Sequence, residues 1–319
     1  MNIPCMFIND GKSVMKLMLK WVKKGLIFEP KGRVDWIQSY SWVPIAQALG
    51  DGYFRIYFSG RNQDNLSQPG AFTIHIDRPH EILEFSSQPL LTLGPLGAFD
   101  DSGVIPCWIL DHGGKKYMYY SGWMQGKRVP FYSALGVAIS DDNGKTFKKW
   151  SRGPLLHRTD VDPFFTASAC VIVDNGIWRM WYTTNTSWQI VNGKTLPRYH
   201  IKYAESADGF EWRCQGIVAI DFKDEKEYAI TRPWVLCEDG LYKMWYSYRG
   251  DFNRIGYAES RDGILWMRMD EEAGIDVSAQ GWDSEMVEYA AVVRDNHRYY
   301  MFYNGSNFGE NGIGMAVAE

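Results

Sequence analysis

The sequence predicts an all-β fold, and more specifically a five-bladed β-propeller with four antiparallel strands in each blade. Three observations support this prediction: a unit of about 60 residues repeats five times, each copy contains a tight turn between β-rich runs, and 15% of the 319 residues are aromatic. Aromatic residues favour strands. A repeated unit of four antiparallel strands cannot bury its faces alone, and radial stacking of such units gives a propeller.

The second strand of each unit carries the clearest signal, an apolar and aromatic run that ends in small polar residues. Successive copies begin 62, 62, 64 and 57 residues apart. A tight-turn sequence such as Asp174-Asn175-Gly176 precedes each copy, so each turn joins two strands of a hairpin. The five copies occupy residues 56–60, 118–122, 180–184, 244–248 and 301–305.

Third and fourth strands follow in each copy. Three third strands continue into a Ser-x-Asp-Gly type of turn, whose acidic residues we interpret as structural. Third strands are predicted at 71–76, 135–139, 201–204, 255–258 and 313–317. Fourth strands are predicted at 89–91, 154–156, 216–218 and 274–276. The fifth copy has no fourth strand, and residues 25–30 resemble one, so the N-terminus is expected to close the ring.

The domain organisation follows from this closure. Residues 20–319 are predicted to form a single propeller domain, and residues 1–19 an N-terminal extension. The alternative of two all-β domains lacks a Pro/Gly-rich linker.

Composition narrows the class of protein. The formal net charge is −4 and there is no basic run, which argues against a nucleic-acid partner. No apolar stretch of about 18 residues is present, so no membrane-spanning segment is predicted. Five scattered cysteines argue against a disulfide framework and favour a cytoplasmic location. No His/Asp/Glu cluster has metal-ligand spacing, so neither a metal nor a cofactor is predicted.

Candidate acids precede the first strands. Alignment of these strands places an acid at the same position in four copies, and neighbouring runs add three more. The aligned acids are Asp100, Asp162, Glu227 and Asp283, and the additional ones are Asp101, Glu285 and Glu288. Carboxylates around one axial funnel can act as acid and base on a glycosidic bond. The alternative is that several accept backbone N–H bonds in turns, Asp162 and Glu227 most of all.

Candidate ligand-binding residues follow the second strands. These positions are Arg61, Trp123, Asn185, Arg249 and Ser306. Arg232 heads a first strand, and His200 could face the same funnel. Arginine pairs with phosphate or carboxylate and tryptophan stacks on a sugar ring, so the set suits an anionic sugar. The alternative is that the arginines neutralise the funnel acids.

The repeats, with Tyr-Ala-Glu-Ser-x-Asp-Gly between them, resemble the five-bladed glycosidase-like propellers, which include glycoside hydrolase families 43, 32, 68 and 130. The stretches 94–104, 199–206 and 281–286 resemble in particular bacterial glycosidase-like proteins found near polysaccharide biosynthesis genes. The resemblance covers residues 20 to 319. This chain differs from these hydrolases beside the first-strand proline, where they have carboxylates in several blades. The corresponding residues here are Val43, Ile105, Ala167, Arg232 and Glu288.

The resemblance implies an enzyme that acts on a glycosidic bond in bacterial polysaccharide or activated-sugar metabolism. Asp101 with Glu285 or Glu288 would be the catalytic pair, and Asp100 and Asp283 would hold sugar hydroxyls. Arg61, Arg232 and Arg249 would bind an anionic portion, as in a sugar phosphate or nucleotide sugar. Two alternatives stay open: a non-catalytic glycan-binding or assembly module, and a transferase or phosphorylase. A protein-docking propeller fits the pattern poorly.

Overall fold

The regular secondary structure of the described chain consists almost entirely of β-strands. The computed structural model describes residues 19–319, and within this range the only helical turns are two short 3₁₀ segments, Asp270–Glu272 and Ser306–Gly309. The all-β prediction is therefore confirmed. The predicted extension, residues 1–19, lies outside the described residues apart from Leu19. No helix in the described range has the length and apolar character needed to cross a bilayer.

Twenty strands are present in residues 19–319, and their antiparallel pairs form five groups. Single parallel pairs, Ser67 with Gly103 and Tyr199 with Ala229, link the first group to the second and the third to the fourth, so the hydrogen-bonded ladders form three sheets. The first strand is β1 (Trp21–Phe28). Group I contains β2 (Ser39–Gly50), β3 (Tyr53–Arg61), β4 (Ser67–His75) and β5 (Glu84–Phe85). Group II contains β6 (Gly103–His112), β7 (Lys115–Gln125), β8 (Phe131–Ser140) and β9 (Lys148–Lys149). Group III contains β10 (Thr166–Asp174), β11 (Ile177–Val191), β12 (Lys194–Ser206) and β13 (Trp212–Ile220). Group IV contains β14 (Ala229–Glu238), β15 (Leu241–Arg249), β16 (Asn253–Ser260) and β17 (Met267–Arg268). Group V contains β18 (Glu288–Asp295), β19 (Arg298–Asn304) and β20 (Ile313–Ala318).

Strand β1 completes group V. It pairs antiparallel with β20, with Trp21 opposite Ala318 and Phe28 opposite Ile313. The indole of Trp21 also donates to the carbonyl of Ala273, at 3.0 Å. The N-terminal strand therefore occupies the position anticipated for it, although it spans 21–28 where 25–30 was predicted.

The fourth strands differ from the prediction in three groups. β5, β9 and β17 come directly after the turn, and the predicted segments 89–91, 154–156 and 274–276 are not strands. Proline lacks the N–H that a sheet ladder needs. Leu90 and Leu156 are instead buried in the core, and the carbonyl of Leu90 accepts a hydrogen bond from the N–H of Phe147 in group II. Leu90 and Leu156 also bond to the third strands of their own groups, through Pro69 and Leu135, so these two segments continue the sheet edge by isolated contacts without forming a regular strand.

Second-strand aromatic residues form the core and reach the turns of the next group. The hydroxyl of Tyr119 donates to the carbonyl of Gly209 at 3.1 Å, and the indole of Trp181 donates to the carbonyl of Gly263 at 2.8 Å. Both glycines have positive φ and lie where a Cβ would meet aromatic rings. Much of the aromatic content is thus explained by packing between groups.

The first strands lie side by side around a common axis. Each contacts the first strand of the next group, and β18 contacts β2. Side chains of second strands accept the backbone N–H of the neighbouring first strand: Ser121 from Ser168 at 2.9 Å, Ser247 from Tyr289 at 2.8 Å. Asn304 accepts from Val43 at 2.8 Å, which joins group V to group I.

Candidate functional site: the axial cavity

A cavity of about 290 Å³ lies where the first strands meet. Its walls are largely apolar and include six aromatic residues, and within the described chain its lining includes no Asp or Glu. The lining residues are Trp42, Val43, Arg61, Ile105, Ser121, Trp123, Pro130, Phe131, Ser133, Phe165, Ala167, Ser168, Thr183, Tyr199, Thr231, Arg232 and Tyr289. Three of the predicted ligand-binding residues, Arg61, Trp123 and Arg232, are therefore brought together.

β-Bulges in the first strands shape the cavity. In four groups two residues lack a direct partner in β3, β11, β15 or β19, and the first of them has positive φ. These residues are Val43 (φ 50°), Ser168 (44°), Arg232 (56°) and Tyr289 (59°). All four line the cavity, so the bulges aim their side chains at the axis.

The bulges correct the sequence alignment by one residue in groups III and V. Ser168 and Tyr289, rather than Ala167 and Glu288, are equivalent to Val43 and Arg232. Glu288 pairs instead with Asn304 in the regular part of the ladder. The position that was expected to keep an acid in group V thus holds a tyrosine.

Arg232 crosses the axis of the molecule. It is 4% exposed, and its guanidinium donates to the carbonyls of Cys107 at 2.9 Å, Pro44 at 3.0 Å and Val43 at 3.3 Å. Burial lowers the pKa of this guanidinium. In the described chain it has no carboxylate partner, so its charge is balanced only by backbone dipoles. Arg232 therefore ties groups IV, I and II together as well as lining the cavity.

Arg61 lies on the aromatic wall. Its guanidinium carbon is 4.1 Å from the ring centre of Trp42 and 4.7 Å from that of Tyr40, and it donates to the side chain of Asn65 at 2.9 Å. Burial lowers its pKa. Among residues 19–319 no carboxylate forms an ion pair with it. The indole N–H of Trp42 and that of Trp123 likewise meet no acceptor in that range. The wall is rich in donors and poor in acceptors.

Arg249 and Glu288 form a buried ion pair beside the cavity. Glu288 is fully buried and accepts two bonds from Arg249, at 2.9 and 3.0 Å. Burial would lower the pKa of Arg249, but Glu288 outweighs it and raises that pKa well above its usual value. Arg249 also donates to the hydroxyl of Tyr289 at 2.6 Å. Neither member of the pair lines the cavity, which Arg249 reaches through Tyr289 and Tyr199.

Asp100 and Asp283, predicted to bind sugar, are buried outside the cavity lining. The hydroxyl of Tyr120 donates to Asp100 at 3.1 Å and that of Tyr303 donates to Asp283 at 2.9 Å. A lysine on an outer strand neutralises each acid, Lys149 or Lys23, both at 2.6 Å.

The same arrangement recurs in groups III and IV. Asp162 accepts from Tyr182 at 2.9 Å and pairs with Lys202 at 3.0 Å. In group IV Arg268 bridges Glu227 and Asp270, and Tyr246 donates to Asp270. Group I has Phe58 in place of the tyrosine and Gln38 in place of the acid. The acid and the tyrosine are absent together, which marks a repeated packing motif.

The other predicted residues also lie outside the cavity lining. Asp101 accepts bonds from the Gly97 N–H and the Ser102 hydroxyl, at 2.9 and 2.7 Å, and Glu285 is exposed. Asn185 is buried, and His200 is 2.9 Å from Asp221. Burial lowers the pKa of His200. Catalytic roles for Asp101, Glu285 and Glu288 stay predictions.

Most of the lining residues were not anticipated, among them the aromatic residues Trp42, Phe131, Tyr199 and Tyr289. Tyr289 could be assigned to the cavity only once the bulge in β18 was known. A wider depression of about 700 Å³ lies in group IV, where charges pair with one another, Lys226 with Asp251 at 2.8 Å and Arg254 with Asp276 at 2.6 Å. No group of three or more His, Cys, Asp or Glu suited to a metal occurs in the described residues.

Solved structures with this fold are glycoside hydrolase-like propellers. The structure of a BT0996 RGII complex has a TM-score of 0.71 at 16% identity, and the match covers 94% of this chain and 92% of the other. A glycosyl hydrolase from Bacteroides ovatus has a TM-score of 0.69 at 14% identity, covering 94% and 93%. A structure reported for the GH130 family of mannoside phosphorylases, which contains hydrolases of β-1,2-mannosidic linkages, has a TM-score of 0.67 at 16% identity, covering 94% and 93%. The fold is therefore a glycosidase-like β-propeller.

Relatives at higher identity define the family. The chain is 38% identical over 301 residues to the uncharacterized protein Rv1502 of Mycobacterium tuberculosis strain H37Rv, covering 94% of this chain and 100% of the relative. The uncharacterized protein MT1551 of strain CDC 1551 matches with the same identity and coverage. No family model matches the chain. The chain belongs to the family of Rv1502.

Proposed function

We propose that this protein is a single-domain five-bladed propeller, residues 20–319, whose axial cavity binds a carbohydrate that carries an anionic group. One observation carries the proposal: Arg61 and Arg232 line the cavity without a carboxylate partner, and no acid lies among the lining residues of the described chain. Five antiparallel groups joined by side-chain bonds, the last of which returns to group I, support the blade count.

Electrostatics favours an anion at this place. The chain as a whole is negative, yet the cavity carries two guanidinium groups in an apolar wall where charges are weakly screened. Guanidinium groups form short, charge-assisted bonds with phosphate and carboxylate oxygens. Trp42 and Trp123 offer ring faces on which a sugar ring can stack. A sugar phosphate, a nucleotide sugar or an acidic sugar supplies both features.

The same lining argues against hydrolysis within the cavity. A glycosidase needs two carboxyl groups about 5–5.5 Å apart for retention or about 6.5–9.5 Å apart for inversion. We therefore favour binding of an activated or acidic sugar in cytoplasmic polysaccharide metabolism, either as a glycan-binding module or in a transfer reaction in which the bound substrate carries its own phosphate leaving group.

Titration calorimetry tests the proposal with glucose 1-phosphate, UDP-glucose, GDP-mannose and glucuronate against neutral glucose and mannose. At least one anionic sugar is expected to bind and the neutral sugars are not. Arg61→Gln should weaken that binding about 10-fold or more, the loss of one charge-assisted bond. Lys145→Gln, an exposed change of the same charge in the turn after β8, is the control. Equal affinity for neutral sugars, failure of all anionic ones, or an unchanged Arg61→Gln would overturn it.

A second candidate is hydrolysis by Asp101 and Glu285, which is favoured by the accessibility of both side chains. Turnover of nitrophenyl glycosides that is abolished in Asp101→Asn and Glu285→Gln, without loss of stability, would support it. Full activity in both variants would remove these residues from the mechanism.

A further inference from the structure

The hairpin of β11 and β12 extends well beyond the cavity. β11 has 15 residues, and past Asn185 its ladder with β12 continues from Ser187 to Val191 before an Asn192-Gly193 turn, both residues with positive φ. At about 3.3 Å per residue this part protrudes roughly 20 Å. Trp188 packs on Phe131 and Phe165 of the cavity wall, with ring centres 5.4 and 5.7 Å apart, so the hairpin rises from the rim of the cavity.

The end of this hairpin is apolar and exposed. Ile190 is 79% exposed, Val191 44% and Leu196 36%. Ile190 lies on one face of the hairpin and Val191 and Leu196 on the other, and a large part of this apolar surface stays uncovered by the described chain. Exposed apolar side chains of this kind are typical of surfaces that contact a membrane or a protein partner.

Basic residues lie near this apolar end. Lys194 lies in the hairpin next to the turn, and Lys127 and Arg128 lie in the turn between β7 and β8, whose strands meet the hairpin through Phe131 and Trp188. Residues 121–138 and 183–201 contain no Asp or Glu. No carboxylate forms an ion pair with these three cations in the part of the chain that the structure describes.

The part of the rim over group IV carries charges of both signs. Its wide depression is lined by acids and by three cations, and Asp251 and Asp276 form ion pairs with Lys226 and Arg254. The basic stretch without acids is therefore particular to groups II and III.

We propose that the ends of the β7–β8 and β11–β12 hairpins dock on an anionic lipid surface, with Ile190, Val191 and Leu196 entering the interface and Lys127, Arg128 and Lys194 facing lipid phosphates. Peripheral binding combines apolar insertion with attraction of Lys and Arg to acidic headgroups. Basic side chains alone would also suit a soluble polyanion, but such a partner would not require the exposed apolar side chains at the end of the hairpin. Docked this way, the axial cavity opens at the edge of the membrane contact, where it could receive a lipid-linked sugar phosphate.

Vesicle co-sedimentation of the full chain tests this inference. The vesicles contain phosphatidylcholine alone or with about a third of phosphatidylglycerol, at low and high salt. Binding is expected only to the anionic vesicles, and it should weaken with salt. Ile190→Asp should abolish binding, and Lys127→Ala with Arg128→Ala should weaken it about fivefold per charge removed. The matched controls on another face are Leu265→Asp, 76% exposed, and Arg261→Ala, and both should bind normally.

The outcomes separate this inference from the proposed function. The docking proposal is overturned if the wild-type chain ignores anionic vesicles, or if the control variants lose as much affinity as the hairpin variants. It is also overturned if Ile190→Asp binds vesicles and soluble dextran sulfate as the wild type does, because the surface would then recognise a polyanion. Arg61→Gln should bind vesicles normally, so failure of the cavity proposal leaves the vesicle result intact.

Discussion

Replacing Glu288 by Gln separates a structural role of this acid from the catalytic role predicted for it. The carboxylate is fully buried and holds Arg249 through two bonds. Glutamine keeps the shape but removes the charge, and its amide N–H group then faces a guanidinium N–H group. Leaving a buried charge without its partner costs about 3–5 kcal/mol, so the free energy of unfolding should fall by that amount.

Guanidinium-induced unfolding followed by tryptophan fluorescence measures this loss. Glu285→Gln makes the same chemical change at an exposed site three residues earlier and should alter stability by no more than about 0.5 kcal/mol. Replacing both Arg249 and Glu288 by Met removes the charge together with its partner and should restore part of the stability. If Glu288→Gln is as stable as Glu285→Gln, the ion pair does not support the fold, and the structural role assigned to Glu288 is refuted.

Two further predictions concern the tyrosine–acid–base motif. Phe58→Tyr should lower the free energy of unfolding by about 1–3 kcal/mol, because it buries a hydroxyl in the one group without the acid; a variant as stable as the wild type in urea unfolding would contradict this. Burial opposes ionisation of Asp283, but its bonds to Lys23, Ser278 and Tyr303 outweigh burial, and its pKa in the folded chain is lowered. The contribution of the Asp283 carboxylate to stability is therefore present above its unfolded pKa of about 3.9 and is lost as pH falls through its folded pKa. The difference in the free energy of unfolding between wild type and Asp283→Asn should be constant above about pH 5 and shrink below about pH 4. A difference that grows on acidification would refute the assignment.

The repeat in the sequence was sufficient for the fold class and for most strands. Hairpin turns, alternating burial and aromatic second strands are local properties of the sequence. Each can be recognised in a single copy of the repeat, and the other four copies confirm it. The fourth strands were misplaced because the Pro-Leu-Leu segments are buried and bond to the third strands only at isolated positions, Leu90 to Pro69 and Leu156 to Leu135, while the short regular strands β5 and β9 lie before them.

The sequence also indicates that several of the predicted acids are structural, through their constant spacing from a tyrosine. Asp100, Asp162 and Asp283 each stand twenty residues before the tyrosine that binds them, and the copy that lacks the acid lacks the tyrosine as well. This pairing identifies a structural motif without coordinates.

The sequence by itself determined an all-β fold with five repeats of similar strands, a first strand that completes the last group, and arginines and a tryptophan near the ends of second strands. Only the tertiary structure decided which of these side chains face the cavity. A bulge shifts the side-chain direction by one residue and leaves no mark in the local pattern, so Tyr289 rather than Glu288 points to the axis. Four of the acids, Asp100, Asp162, Asp283 and Glu288, form ion pairs outside the cavity lining. Arg61 and Arg232 lie in that lining without a carboxylate partner in the described chain.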